Sequence, residues 1–261
     1  MNILFIGDVM GRPGREAVAR ILPLLREEFR PDFVLCNGEN LAHGAGITKK
    51  VVDEVLAMGV DAITSGNHVF DKKEAAAFLT EEHAPLIRPL NFQEGTPGAG
   101  FMTVEKGDKA IVIVNLIGTL FMGEAYRNPF LVIGAFLKER ADTNNVVIVD
   151  FHAETTAEKR AMGFYLDGKV SAVLGTHTHV PTADAQILEK GTAYITDVGM
   201  TGTTQSVIGM EKDAVIRAFC GEQARPDIAE GEVAVDAVIM DIDDVTGLAR
   251  SISHIHKAFA Q

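Results

Sequence analysis

Cysteine is scarce in this chain: Cys36 and Cys220 are the only two among 261 residues. Two cysteines cannot build the disulfide framework of a small secreted fold. Cys36 lies in the apolar run 33–36 and reads as a small core hydrophobe. Long apolar runs are missing as well. No stretch of about 18 apolar residues occurs, and Met1-Asn2-Ile3 lacks the basic start of a signal peptide. These absences predict a reduced, cytoplasmic protein with no membrane span. Basic charge is short, with 24 Lys and Arg against 36 Asp and Glu and a formal net charge of -12. That balance leaves no broad basic footprint for duplex nucleic acid. A small anionic substrate then requires local positive charge, which bound metal ions supply. Nor does any Pro/Gly/Ser-rich linker divide the chain. With 47% hydrophobic residues there is enough apolar material for one large core, so residues 1–261 are expected to form a single domain. Oligomeric state is not legible, and a homo-oligomer stays open.

The first third alternates strand and helix signals. Residues 2–6, 33–36 and 62–65 read as buried strands. Between them, 14–29 carries helical periodicity through Val18, Ile21, Leu22 and Leu25, and 49–58 follows Thr48, a plausible N-cap. Asp71-Lys72-Lys73-Glu74 has capping-box spacing and predicts a helix through Leu79. This order implies parallel strands with right-handed crossovers. Further on, 101–105 and 110–115 read as a hairpin, followed by a Gly-containing loop over 119–127. Helices are expected over 129–140 and 157–166, and strands over 146–151, 172–175, 185–189 and 193–196. Residues 233–241 and 249–257 read as a closing hairpin. The expected class is α/β, with the later strands forming a second sheet or extending the first.

Several of these strands end in metal-binding side chains. The segments are Gly7-Asp8, Gly38-Glu39-Asn40, Gly66-Asn67-His68, Asp150-Phe151-His152 and Gly175-Thr176-His177-Thr178-His179. Ligands of open α/β folds gather beyond the carboxyl ends of the strands. Carboxylate, amide and imidazole donors together suit Mn, Fe or Zn better than Ca or Mg. Glu39 is the candidate for a carboxylate bridging two ions, and such a pair clamps both the attacking and leaving oxygens of a phosphoryl transfer.

These motifs resemble the calcineurin-like metallophosphoesterases, and the bacterial YmdB-type branch in particular. The general pattern of Asp-x-His, Gly-Asp, Gly-Asn-His-Asp/Glu, a lone His and Gly-His-x-His appears here in modified form. Its counterparts are Gly7-Asp8-Val9-Met10-Gly11, Asn37-Gly38-Glu39-Asn40, Gly66-Asn67-His68, His152 and Thr176-His177-Thr178-His179. The segments 37–40, 177–184 and 196–202 resemble the branch itself. The resemblance implies a sandwich of two mixed β-sheets flanked by helices. It also implies two transition-metal ions per chain, Fe or Mn foremost and Zn tolerated. One ion would take Asp8, Glu39, Asn40 and His179, the other Glu39, Asn67, His152 and His177. His68 would touch neither metal and would act as general acid or hydrogen-bond the phosphate. Three departures stand out: Met10 replaces a histidine ligand, Glu39 replaces a bridging Asp, and Val69 replaces the acidic residue after His68. Asn40 can fill the coordination position that Met10 cannot.

The implied activity is hydrolysis of small phosphodiesters, foremost 2′,3′-cyclic nucleotides. Two rivals remain: a phosphomonoesterase or nucleotidase on the same site, and a metal-stabilised regulatory protein with incidental turnover. Weaker features have plainer readings. Arg12 and His43 are candidate substrate contacts or ordinary loop residues, and Asp71 reads as a helix cap. The loop 38–46 either cradles phosphate or merely connects, since it lacks the Walker-type Lys spacing. Residues 201–206 form a pocket wall or an ordinary loop. His254-Ile255-His256 repeats the His-x-His spacing without any accompanying ligand and reads as an ordinary strand pair.

Overall fold

A computed structural model describes residues 1–81, 84–123, 126–140 and 146–259. Its first third contains β1 (Asn2–Ile6), β2 (Asp8–Val9), α1 (Gly11–Phe29), β3 (Phe33–Asn37), α2 (Lys49–Ala57), β4 (Ala62–Thr64) and α3 (Ala75–Phe78). The middle adds β5 (Phe101–Lys106), β6 (Lys109–Ile117), α4 (Pro129–Glu139), β7 (Val147–His152), α5 (Thr156–Leu166) and β8 (Ala172–Thr176). The remainder is β9 (Gln186–Ile187), β10 (Ala193–Ile195), β11 (Met200–Thr203), α6 (Lys212–Phe219), β12 (Val233–Ile242) and β13 (Ala249–Phe259).

These strands form two mixed sheets. The seven-stranded sheet runs β2-β11-β12-β1-β3-β4, with β13 on the other edge of β12. The six-stranded sheet runs β5-β6-β7-β8-β10-β9. Strands β1, β3 and β4 are mutually parallel, as are β6, β7, β8 and β10. Alternation along each strand explains the layering. Ile3 and Phe5 face a core shared with Ile113, Ile148 and Leu174 of the other sheet. Leu4, Ile6, Val34 and Cys36 face the opposite way, against Ala17, Val18 and Ile21 of α1. Val112, Val149 and Phe151 turn outward onto Ile133 of α4 and Met162 of α5. Both faces of the central parallel strands are therefore covered, which is why these strands read as continuous apolar runs, whereas the edge strands β5 and β13 stay largely exposed. Each fully buried Ile, Leu or Phe contributes about 1.5–3 kcal/mol to that packing.

Some local expectations need correction. Asp71 opens no helix: α3 begins only at Ala75, with Glu74 at its N-cap. Thr48 does occupy the N-cap of α2, but its hydroxyl makes no capping bond. The expected strand 185–189 shrinks to β9. Strands β2 and β11 and helix α6 were not anticipated, because two- and four-residue strands and an eight-residue helix carry too little periodicity to register. Residues 124 and 125 of the expected 119–127 loop lie outside the described residues. No helix among the described residues is long and apolar enough to cross a membrane.

Candidate metal centre

The parallel strands of both sheets present their carboxyl ends at one edge of the sandwich. Asp8 follows β1, and its backbone N–H donates to Gly199 O at 3.0 Å. Glu39 and Asn40 follow β3, Asn67 follows β4, His152 ends β7, and His177 and His179 follow β8. Asp8, Glu39, Asn40 and His152 are all buried. Two groups can each converge on a cation: Glu39, His152 and His177, and Asp8, Glu39 and His179, with donor atoms in each group within 4.8 Å of one another. Glu39 is common to both.

The donor chemistry of the pocket fits cations. His152 Nε2 lies 3.1 Å from Glu39 Oε1, 3.2 Å from Asn67 Oδ1 and 3.1 Å from His177 Nδ1. A single N–H cannot serve three acceptors, whereas a cation can draw all of these lone pairs together. Asp8 Oδ1 and Asn40 Oδ1 are buried acceptors with no hydrogen-bond partner. Orphaned buried oxygens cost about 1–3 kcal/mol each, and a cation would satisfy both. Asn40 Nδ2 donates to Gly44 O at 2.9 Å, which leaves Oδ1 as the unpartnered atom of the amide. The backbone at Gly66 closes the pocket: a Cβ there would stand 2.3 Å from Glu39 Oε2 and from His152 Nε2. Only glycine allows the chain to pass so near both side chains.

Each histidine has one ring nitrogen held by the protein and the other turned inward. His152 Nδ1 lies 2.9 Å from Thr176 Oγ1, and that hydroxyl donates to Asp150 Oδ1 at 2.7 Å. Asp150 is held in turn by Thr64 Oγ1 and by Asn37 Nδ2 at 2.9 Å. His177 Nε2 pairs with Glu154 Oε2 at 3.1 Å, and His179 Nδ1 bonds Ile208 O at 3.0 Å. Such outer partners fix the tautomer and aim of metal-binding imidazoles. His177 and His179 adopt left-handed backbone, with φ of 102° and 65°, at about 1–3 kcal/mol each. A buried ion pair over-determines this loop. Lys159 Nζ donates to Asp197 Oδ2 at 2.6 Å, and the same oxygen accepts from Thr178 N and Oγ1. Sequence reasoning missed Glu154, Asp197 and Lys159. Asp150 was findable, because period two puts it on the face of β7 that carries His152.

His68 stands at the rim. Its backbone N–H donates to Glu39 Oε2 at 3.2 Å, and its ring Nδ1 pairs with Asp71 Oδ2 at 2.8 Å. Asp71 is thus the partner of His68 rather than a helix cap, replacing the acidic residue missing at Val69. Met10 is buried and packs where Cβ atoms on Gly44, Gly202 and Gly209 would touch it. The loop 38–46 closes on itself through Gly46 N to Glu39 O at 2.8 Å and Ala42 N to Gly46 O at 2.9 Å, so it serves to present Glu39 and Asn40. Arg12 and His43 meet in a separate cleft with Arg15 and Lys50, whose lining contains none of the metal-ligand candidates. Arg12 is also paired with Glu230 at 2.7 Å. His254 bonds Val198 O and His256 bonds Asp236, which accounts for that second His-x-His pair.

Charges in the pocket are coupled. Burial raises the Glu39 carboxyl, but His152 beside it more than compensates and lowers it to about 2. Burial lowers His152, yet Glu39 and the other carboxylates raise it to about 9. Burial, with His152, lowers His177 to about 3. Burial raises Asp8 to about 6, against the pull of His179 and His152. Between pH 6 and 9 the pocket therefore holds a protonated His152 and an ionised Asp8. A cation must displace the His152 proton, so affinity should rise about tenfold per pH unit across that window and flatten above it. Below pH 6 the protonation of Asp8 steepens the dependence. Calorimetric metal titrations in buffers of differing ionisation enthalpy should show about one proton released per chain near pH 7.5. Affinity independent of pH between 6 and 9 would mean that no His152 proton is displaced in that window.

A two-sheet sandwich carrying paired carboxylate–histidine groups that share one glutamate, at the carboxyl ends of its parallel strands, is a metallophosphoesterase. The model of the family described as YmdB-like protein matches residues 4–255. The chain belongs to that family. It is 46% identical over 256 residues to the Bacillus subtilis (strain 168) 2′,3′-cyclic-nucleotide 2′-phosphodiesterase, covering 98% of this chain and 96% of that protein. A crystal structure of a Mycoplasma pneumoniae protein described as a novel phosphatase is 36% identical with a TM-score of 0.92, covering 99% of this chain and 93% of that one. A Staphylococcus aureus protein described as a 5′-nucleotidase shares the fold alone, at 16% identity and a TM-score of 0.62, over 98% of this chain and 54% of that one.

Proposed function

We propose that this protein is a dinuclear phosphodiesterase acting on small phosphodiesters, with 2′,3′-cyclic nucleotides as the preferred class. The observation that carries the reading is the pair of ligand groups joined through Glu39, with His68 anchored to that same carboxylate. Asp8, Asn40 and His179 would hold one ion, Asn67, His152 and His177 the other, and Glu39 would bridge. Two cations held there supply Lewis-acid charge to the phosphoryl oxygens and a hydroxide nucleophile near neutral pH. Fe and Mn fit the mixed donors best, and Zn is tolerated. The remaining chemistry belongs to the chain. Asp71 holds His68 Nδ1, which leaves Nε2 to protonate the departing ribose oxygen as the P–O bond breaks. Opening of the cyclic ester in this way yields a nucleoside monophosphate. The Bacillus subtilis relative's named activity supports the substrate class. A cytoplasmic setting is part of the proposal and agrees with the two free cysteines.

Metal analysis of anaerobically purified protein, followed by a parallel ester panel, tests this reading. Two ions per chain and turnover of cyclic nucleotides above phosphomonoesters are expected. Saturation at one ion under metal-replete conditions would refute the dinuclear centre. Turnover confined to monoesters would make the protein a nucleotidase, and two ions without turnover of either ester would favour the regulatory reading.

A further inference from the structure

Beside the metal centre lies a cleft of about 270 Å³ that none of the chemistry above uses. Its size is near the lower end for small-molecule pockets, which run from about 300 Å³. His179 forms part of its wall, so the cleft opens directly from a candidate metal ligand. The other walls include Val180, Pro181, Met200 and Ile208, with hydroxyls from Thr203 and Thr204. Val180 and Ile208 are 59% and 50% exposed.

Ile208 carries the second observation. Val207 and Met210 exchange both backbone hydrogen bonds, at 2.9 and 3.0 Å, so Ile208 and Gly209 are the central pair of a two-residue hairpin turn. Both have positive φ, 47° and 96°, as in a type I′ turn. Asn-Gly is the favoured pair for such turns, and a β-branched residue with positive φ is a genuine outlier. Strain of this kind persists only where the surroundings over-determine it, and it clusters at functional sites. Packing does not explain the choice of residue, since the side chain is half exposed. Meanwhile the Ile208 carbonyl holds His179 Nδ1 at 3.0 Å. The turn therefore ties a half-exposed apolar side chain to the aim of a metal ligand.

We infer that this cleft is the nucleobase subsite, with Ile208 and Val180 as apolar contacts for the faces of the base and Thr204 Oγ1, whose proton goes to Glu232 O, left to accept from its polar edge. The inference rests on the phosphodiesterase reading and adds the part of the substrate that lies away from the reacting phosphorus. It predicts that the enzyme distinguishes a cyclic nucleotide from a base-free ester of identical reactivity.

The probes are a nucleoside 2′,3′-cyclic phosphate and methyl riboside 2′,3′-cyclic phosphate. Wild-type kcat/KM should favour the nucleotide by about tenfold or more, the worth of a modest apolar contact. Ile208→Asn suits the turn and keeps the carbonyl, and it should cut that ratio to about twofold. Val180→Ser, on a separate wall residue, should shift the ratio the same way and decides the matter if the first variant fails to fold. Calorimetry on the metal-loaded protein, with nucleoside 3′-monophosphate against methyl riboside 3-phosphate, reads the same preference without turnover. If neither cyclic ester is cleaved but the nucleotide still binds better through Ile208, the phosphodiesterase reading falls and the base subsite stands. Equal binding of base-bearing and base-free ligands by wild type would overturn the subsite. So would a ratio that neither substitution moves.

Discussion

Glu39→Gln should empty the metal centre and abolish hydrolysis together. The Glu39 carboxylate belongs to both candidate ligand groups, so its loss weakens both sites at once and removes the negative charge that offsets two dications. Lewis-acid stabilisation is worth several kcal/mol, which corresponds to a fall in kcat/KM of at least about 10³-fold. His152 also loses the partner that raises its pKa to about 9. Its proton should therefore leave at lower pH, and residual metal binding should show a weaker pH dependence. Elemental analysis beside steady-state kinetics checks the point. Full metal content with a near-normal rate would place the bridge elsewhere.

For His68→Ala, both metals should stay while kcat on a nucleoside phosphodiester drops by about 10²–10⁴-fold, the usual range for general acid catalysis. The His68 ring is held by Asp71, while only its backbone N–H touches Glu39, so truncating the ring leaves the ligand sets intact. A p-nitrophenyl ester, whose leaving group needs no proton, should lose much less. An equal loss on both esters would assign His68 to phosphate stabilisation. Loss of a metal ion would make it a ligand, and unchanged turnover would revive the regulatory reading. Asp71→Asn should give a smaller fall in the same direction, because the amide orients the His68 ring less firmly than the carboxylate does.

Much of this architecture was legible before folding. Sheets covered on both faces need strands that are apolar at every position, and runs such as 2–6, 33–36 and 172–175 advertise themselves for that reason. The strand-end segments were visible because parallel strands deliver their carboxyl ends to one edge, and side chains that follow them share a neighbourhood. Short elements escaped. β2 pairs with β11 through only two residue pairs, Asp8 with Met200 and Val9 with Thr201, and two residues carry no period. Asp71 was misread because the capping-box pattern Asp71–Glu74 and the i,i+3 pair His68–Asp71 share Asp71, and only the position of the His68 ring separates them.

What the chain by itself determined was the α/β order, the covered sheets and the inventory of donors that a mixed carboxylate, amide and imidazole site requires. These follow from local period, propensity and donor chemistry, which act over a few residues. Tertiary structure decided the rest. It placed Glu154 behind His177, Lys159 and Asp197 beneath the His177–His179 loop, and Met10 among glycines. It set Arg12 and His43 in another cleft and brought the Ile208 carbonyl to His179. None of those pairings has a spacing that sequence can display, because each depends on how two sheets and their loops meet in space, and that meeting is settled by packing across the whole core.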